Sequence, residues 1–567
     1  MNTVSQPMYE WKELPWKEIE KQTFKLQKRI YQATKKKDVS AVHKLQRLLV
    51  NSWYARCLAV RRVTQDNQGK KTAGVDGKKL LNPKQRMALV QELKEMIKPQ
   101  PVRRIWIPKP GKDEKRPLGI PTIKDRAHQA LIKMALEPEW EAKFEPNSYG
   151  FRPGRSCHDA VEAIFTVLKH KVRFVLDADI KGCFDNIDHQ ALLRKLNTIP
   201  KFRRIIKKWL KAGVMENLEL TKTEKGTPQG GVISPLLSNV ALHGLEEKVK
   251  ASFPKRDSRG RSINPHVVRY ADDFVILHQD LEVIEKCKEI VSKYLKEVGL
   301  ELKESKTKIT HTSEKYNGNV GFDFLGFHFR QHKVGKNYAH YVGRKCQGKL
   351  FYKTVVTPSK QAVERHYRKI ADVINAHNSQ KQSYLIKHLN PIIRGWCNYY
   401  SSVISTNTFN KLDHLMVKRL LRWGYRRHPK KGRKWVVESY FNPIQNKGSK
   451  RPWDFISSEG NALLRHADTN IQRHVLVNTG RSPYDGDFIY WATRMGRHPE
   501  MSTRVANLLK RQKGKCLRCD LCFKYGDLLE VDHIIRKEMG GLDIYNNLQL
   551  LHKHCHDAKT SLDKWYL

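Results

Sequence analysis

Val267-Val-Arg-Tyr-Ala-Asp-Asp-Phe-Val-Ile-Leu277 is two apolar arms joined at Ala271-Asp272-Asp273, and few folds can accommodate it. Short apolar arms read as buried strands, so the joint reads as a hairpin with two adjacent acids at its tip. Arg173-Phe-Val-Leu-Asp-Ala-Asp-Ile180 reads as another strand. Its period of two sets Phe174, Leu176, Ala178 and Ile180 on one face and Asp177 and Asp179 on the other. Gly182-Cys-Phe184 ends that strand, and Asp188 and His189 open a helix. Neither acid pair stands at the polar end of an exposed helix, where surplus carboxylates usually sit.

Carboxylates grouped in this way suit nucleotidyl transfer. That reaction uses two Mg²⁺ ions about 4 Å apart to hold an attacking 3′-hydroxyl and a leaving pyrophosphate in line. Oxygen ligands suit Mg²⁺, which in turn keeps the carboxylates charged. On this reading Asp179, Asp272 and Asp273 share two metals on adjacent strands. A surface hairpin with solvated acids is the alternative that these residues alone leave open.

The charge balance points to the partner. Lys+Arg is 107 against 57 for Asp+Glu, a net of +50. An excess this large and dispersed calls for a polyanion, since a folded surface would otherwise repel itself. Nucleic acid is the natural candidate, with affinity driven by counterion release; a ribosomal surface or an anionic membrane is the blander alternative. No run approaches the ~20 apolar residues of a membrane helix. Met1 to Glu13 has no apolar core of a secretory signal, and a bacterial cytoplasm, with action at the nucleoid, is the expected location.

Texture divides the chain. Residues 16 to 62 read as helix, with Leu26, Ile30, Ala33, Leu45, Leu48, Leu49 and Val60 at three- and four-residue spacing. A Gly-rich break containing Thr72-Ala-Gly-Val-Asp-Gly77 follows, then helix again over 83 to 98. From Pro99 to about 345, short apolar strands alternate with helices; 358 to 425 is amphipathic helix; 428 to 500 has little periodicity.

Further motifs fall in order around the acids. They are Ile107-Pro-Lys109, Arg116-Pro-Leu-Gly-Ile-Pro121 with Asp125-Arg126 and Gln129, and Ser148-Tyr-Gly-Phe-Arg-Pro-Gly-Arg-Ser156. Asp179 to Asn186, Gly226-Thr-Pro-Gln-Gly-Gly231 with Ser234-Pro235, Tyr270 to Asp273, Glu304-Ser-Lys-Thr307 and Phe324-Leu-Gly-Phe327 follow. In this set the chain resembles the reverse transcriptases of group II introns, nearly end to end. The resemblance implies that Asp179, Asp272 and Asp273 are the metal ligands. It also implies that Lys109 and Arg116 contact the incoming triphosphate, that Gln229 lies against nucleotide or template, and that Lys306 steadies the site. Phe184 falls where the family places the residue beneath the incoming sugar. A bulky ring there would collide with a 2′-hydroxyl, so dNTPs are the expected substrates and DNA the product. Generic phosphate binding for the basic residues, and an ordinary core aromatic for Phe184, are the plainer readings.

Beyond residue 350, Leu389-Asn-Pro-Ile-Ile-Arg-Gly-Trp-Cys-Asn-Tyr-Tyr400, Phe409 and Leu420-Leu-Arg-Trp423 are similar to the thumb, or domain X, of that family. The resemblance implies a grip on primer-template and on structured intron RNA. Lys411, Lys418, Arg419, Arg422, Arg426 and Arg427 would supply a phosphate-binding face, most of the Trp and Tyr being core.

Of ten cysteines, four fall in the last 52 residues, which suggests a reducing compartment and one local metal site rather than a disulfide scaffold. Cys516-Leu-Arg-Cys519 is a Cys-x₂-Cys pair, and His552-Lys-His-Cys555 is a second short pair with 32 residues between them. Together they are spaced to hold structural Zn²⁺, though Cys522 and His554 are competing ligands. The pairs bracket Glu530-Val-Asp-His533, Gly540-Gly541 and Asn547-Leu-Gln-Leu-Leu-His552, which resembles an HNH nuclease. That family's scheme makes His533 the general base, Asp532 and His556 the holders of one divalent ion, and Asn547 the brace of the loop carrying the base. Arg536 stands where the family usually has Pro. A zinc finger that binds DNA without cutting is the alternative.

The expected fold is multidomain, α/β plus α: a right-hand polymerase of fingers and palm with a helical thumb, then a small zinc-bound ββα-metal HNH domain. Expected boundaries are 1–98 for a basic helical extension, 99–350 for fingers and palm and 351–428 for the thumb or maturase domain X. A DNA-binding linker then spans 429–510 and the nuclease 511–567. Implied partners are intron RNA in a ribonucleoprotein, a DNA target and dNTPs, with no membrane. Rival readings are a reverse transcriptase of another kind, or a splicing cofactor with decayed active sites; the thumb motif, the nuclease module and the complete acid sets argue against them.

Overall fold

The computed structural model describes residues 10–565 apart from 96–97, 109–113, 170, 218, 255–263, 335–351, 442–443, 447–448, 452–453, 500 and 525. The expected helix over 16–62 is three helices, Trp16–Lys35, Val39–Asn51 and Trp53–Arg61. Lys37 adopts a left-handed backbone (φ 60°) and the Asp38 carboxylate accepts from the Ala41 amide, so the chain turns and restarts. Ser52 is extended and makes the second break. Ile30, Leu45, Leu49 and Val60 are buried as expected, but Leu48 is 52% exposed because the turn rotates that helix about a different stripe. The next helix is Pro83–Glu92, opened by a reciprocal Asn82–Gln85 capping box and shorter than the pattern suggests.

The central sheet has the strand order His266–Tyr270, Asp273–His278, Phe174–Asp179, Lys308–His311, every pair antiparallel. Its alternation matches the expectation. Leu176, Ala178, Phe274 and Ile276 join one apolar core, and Val175, Val268, Val275 and Leu277 join a second on the opposite face. A sheet covered on both faces explains why its arms are nearly all apolar. A second sheet, in the order Lys115–Ile120, Val102–Pro108, Val214–Glu216, Glu219–Thr221, is interleaved with it in sequence, and a third is Phe322–Phe324, Phe327–Lys333, Tyr352–Pro358.

Helices Lys360–Ala376, Gln382–Tyr400 and Thr406–Arg427 follow. The weakly periodic stretch after them is largely irregular but firmly attached. Buried Asp159 sits in the first turn of helix Cys157–Leu168. Its carboxylate accepts from the Val477 amide at 2.9 Å, lies 3.1 Å from His474 Nε2 and pairs with Arg494. These bonds hold its carboxyl well below the usual range despite burial. The C-terminal module is a helix Thr503–Arg511, an antiparallel hairpin of Leu529–His533 and Leu548–His552, and helix Lys553–Trp565 around a separate small core. It rests on the first helix, with Lys524 over the Phe24 ring and His554 Nδ1 3.5 Å from Glu20. No helix among the described residues is long and apolar enough to cross a membrane.

Candidate active sites

Strand pairing brings the three acids together. Asp179, last in its strand, is the direct partner of Asp273, which in turn pairs with Tyr270 across the hairpin. Opposed residues in antiparallel strands have Cα atoms about 4.5–5.5 Å apart, so the carboxylates converge without any loop having to fold over. Asp272 stands at the tip, where Ala271 takes a left-handed φ of 58°. All three acids are half-buried. Burial, then Asp272 and Asp179, push Asp273 up to about 7. Burial and then Asp179 also raise Asp272, a rise that its backbone hydrogen bond, Arg116 and Lys306 offset only in part. Asp177, on the same face, is driven up to about 7 by burial and by Asp273. Carboxylates crowded in this way favour a multivalent cation over mutual repulsion.

Lys306 donates its ammonium to Asp179, and the Lys303 amide donates to the Asp179 carbonyl at 2.8 Å. Phe184 is half-buried with its ring edge-on to Phe151 at 5.9 Å. The loop carrying Gln229 rests against the same turn, since the Thr227 amide donates to the Phe184 carbonyl at 2.6 Å. Gln229 is half-buried and its carbonyl accepts from the Gly119 amide, joining this loop to the strand of Arg116. Lys109 lies outside the described residues.

The hairpin tip has a clamp whose pairings the motifs do not name. Tyr149 N donates to the Arg269 carbonyl and Arg269 N to the Asn147 carbonyl, each at 2.9 Å. The buried Arg269 guanidinium donates to Asn239 Oδ1 at 3.0 Å and to the Ala271 carbonyl at 3.1 Å. Asn239 donates to the Gly150 carbonyl at 2.8 Å. Gly150 lies flat against the tip, and a Cβ there would stand 2.3 Å from the Ala271 nitrogen. Backbone on both sides prevents relief. Gly150→Ala is therefore expected to displace Asp272 and Asp273 and to slow nucleotide incorporation about a hundredfold, as misplacement by about 1 Å does elsewhere. Single-turnover primer extension checks this; a rate within threefold or so of wild type would mean the tip tolerates the shift.

In the C-terminal module Cys516, Cys519, His552 and Cys555 are all buried, with ligand atoms within 4.8 Å of one another. Cys522 and His554 are not in this group. His552 Nδ1 is 3.3 Å from the Cys519 sulfur, and its Nε2 is 3.3 Å from Asp527. Asp527 thus orients the imidazole as a carboxylate behind a ligating histidine does. Nothing in the local pattern marks it. Three thiols and an imidazole, oriented from behind, are a donor set that fits Zn²⁺.

A second cluster lies on the hairpin. Asp532 Oδ1 is 3.7 Å from His556 Nε2, while Asp532 Oδ2 accepts from Gln549 at 2.8 Å and from Lys559 at 2.7 Å. His533 Nε2 lies 3.1 Å from Asp543, which Arg504 holds through both guanidinium nitrogens. Asn547 donates to the carbonyls of Ile535 and Leu542 and accepts from the Ile535 amide, tying together both ends of the loop after His533.

Family models match in sequence order: the N-terminal domain of reverse transcriptase at 11–93, reverse transcriptase (RNA-dependent DNA polymerase) at 107–329, the group II intron maturase-specific domain at 363–441 and HNH endonuclease at 516–562. The group II intron-encoded protein LtrA of Lactococcus lactis subsp. cremoris is 32% identical over 514 residues, covering 76% of this chain and 80% of that protein. Protein YkfC of Escherichia coli is 34% identical over 326 residues, 50% of this chain and 82% of the relative. Maturase-like protein 1 of Euglena gracilis is 27% identical over 399 residues, 68% of this chain and 76% of the relative. The chain belongs to the group II intron-encoded proteins, with reverse transcriptase, maturase and HNH endonuclease domains.

Proposed function

We propose that Asp179, Asp272 and Asp273 are the metal-holding acids of a right-hand polymerase that copies RNA into DNA, and that the C-terminal module nicks the DNA strand that becomes the primer. The observation that carries this reading is the register of Asp179 opposite Asp273, with Asp272 beside it. Asp179, Asp272 and Asp273 would hold two Mg²⁺ ions, which would supply stabilisation of the charge that develops in an in-line displacement. The chain's own residues do the rest. Arg116, with Lys109, binds triphosphate oxygens, Gln229 lies against nucleotide or template, and Lys306 steadies Asp179. Phe184 closes the space under the sugar.

The maturase helices hold the intron RNA, assist its splicing and stay on the excised RNA as a ribonucleoprotein. The RNA enters one strand of a DNA target. In the nuclease His533 takes the proton of the attacking water, and Asp532 with His556 would hold a divalent ion, which would supply stabilisation of the charge developing on the phosphate. Cys516, Cys519, His552 and Cys555 hold structural Zn²⁺, and Asn547 braces the loop. The nicked strand's 3′-hydroxyl then primes synthesis.

The test is extension of a DNA primer on an RNA template by the full-length chain with Mg²⁺. Wild type is expected to extend with dNTPs and scarcely with rNTPs. Phe184→Val should raise relative ribonucleotide use on the order of tenfold to a hundredfold, the usual worth of a steric contact. Absence of RNA-templated extension by wild type sinks the polymerase reading; unchanged selectivity in the variant removes Phe184 from the sugar site.

A further inference from the structure

The loop between His533 and Asn547 carries an unusual surface. Ile534, Ile535, Met539, Leu542, Ile544 and Tyr545 are 50, 56, 73, 65, 51 and 40% exposed. Large apolar side chains exposed singly are ordinary, but six within twelve consecutive residues form a patch. The backbone beneath them is fixed. Asn547 ties residue 535 to residue 542, and a Cβ on Gly541 would stand 2.0 Å from the Ile535 carbonyl oxygen. Arg504 grips Asp543, Arg511 donates to Asn546 at 3.0 Å, and Asn507 donates to the Tyr545 hydroxyl at 3.0 Å. The loop is thus built to hold apolar groups outward, with Met539 and Leu542 flanking the Gly540-Gly541 tip.

Charge and position name the partner. Arg504 and Arg511, both exposed, flank the loop and Lys537 is exposed upon it, three cations against the loop's two exposed acids, Glu538 and Asp543. The loop begins at His533, so on the nuclease reading above, on which this inference rests, the DNA being cut lies against it. Phosphates are met by cations and amides, whereas six apolar groups have nothing to offer a phosphate. They suit base faces and sugar edges, and apolar wedges pushed between base steps are an established way to bend a duplex. We infer that this loop is a wedge which enters a groove of the target duplex beside the scissile phosphate, with Met539 and Leu542 parting a base step so that the phosphate reaches His533.

The experiment uses the full-length chain assembled with its intron RNA and a duplex carrying the intron's own insertion junction. One duplex has 2-aminopurine at base steps beside the nick; another has a mismatch there. In a His533→Ala background, binding is expected to raise 2-aminopurine fluorescence, and adding Met539→Ser with Leu542→Ser to abolish the rise. With His533 intact, the double serine variant should nick the paired duplex about tenfold more slowly or worse, as expected if part of an unstacking cost of a few kcal/mol is no longer offset, and a mismatch should restore the rate. Both residues are mostly exposed, so the module should stay folded, with unchanged bound zinc. Equal fluorescence rises, or equal losses of nicking on paired and mismatched duplexes, would overturn the wedge. So would unchanged DNA behaviour together with lost self-association, which would assign the patch to a second copy of the chain. If wild type fails to nick while the fluorescence difference stands, the nuclease reading fails and the wedge survives.

Discussion

Replacing Asp272 and Asp273 together by alanine is expected to reduce RNA-templated primer extension by about a thousandfold or more, since the loss of even one preorganised electrostatic group costs roughly a hundredfold to a thousandfold. The fold should not weaken. Asp273 is raised to about 7 by burial and by its neighbours, so without a cation the folded chain takes up protons there more readily than the unfolded chain. Such a group removes stability as pH climbs from the ordinary carboxylate range through that value. Alanine relieves the repulsion. In chelator above pH 7 the melting temperature of the double variant should therefore equal or exceed that of wild type. Added Mg²⁺ should raise the wild-type value and leave the variant's unchanged. Loss of extension with a lower melting temperature in chelator would show that these acids support the fold instead. Full retention of extension would end the polymerase assignment. Strand nicking in the same preparation serves as the control, because the C-terminal module has a separate core.

The acid hairpin was legible because apolar arms on both sides set off the acids between them, and Asp179 and Asp273 fall at paired strand ends, with Asp177 the one acid inside its strand. The Cys/His pairs were legible because metal geometry demands short spacing. What escaped were contacts with no period. The turn at Lys37 and Asp38 interrupts a helical stripe that survives on both sides, so the pattern alone runs straight through it. The clamp of Gly150 on Ala271 joins backbone to backbone between segments far apart in sequence, and the motif that contains Gly150 does not say which backbone it meets. Asp159 gathers Val477, His474 and Arg494 onto one buried carboxylate, and this anchors a stretch that looks like a loose linker. Asp527 is a similar case: its partner His552 is a zinc-ligand candidate from spacing, but the residue behind it is visible only in three dimensions.

Withdrawing zinc from the C-terminal module, by a zinc-selective chelator with Mg²⁺ kept in excess or by Cys555→Ser, is expected to abolish strand nicking and spare primer extension. The module's apolar core is little more than Leu508, Leu509, Phe523, Leu548, Leu550 and Leu551 around the cysteines. A core of that size seldom supplies more than about 3–5 kcal/mol, whereas a structural zinc site contributes roughly 10–16 kcal/mol. Without the ion, the four buried ligand side chains would lose the bonds that tie them together, and hairpin Leu529–His533/Leu548–His552 would lose the anchor at its end. His533, Asp532 and His556 all depend on that hairpin and the helix after it. The purified wild-type chain should carry one equivalent of zinc, and Cys555→Ser should carry little. Limited proteolysis should then cut the variant within the module while the rest of the chain resists, since the acids near Asp179 share no core with it. Asp527→Asn offers a graded version, expected to weaken zinc about tenfold to a hundredfold, as removal of a carboxylate behind a ligating imidazole does in other sites. A zinc-free module that still nicks DNA and resists protease would mean its small core suffices alone. Because Glu20 and Phe24 lie under the module, any slight effect on extension should track helix Trp16–Lys35 and not the acids.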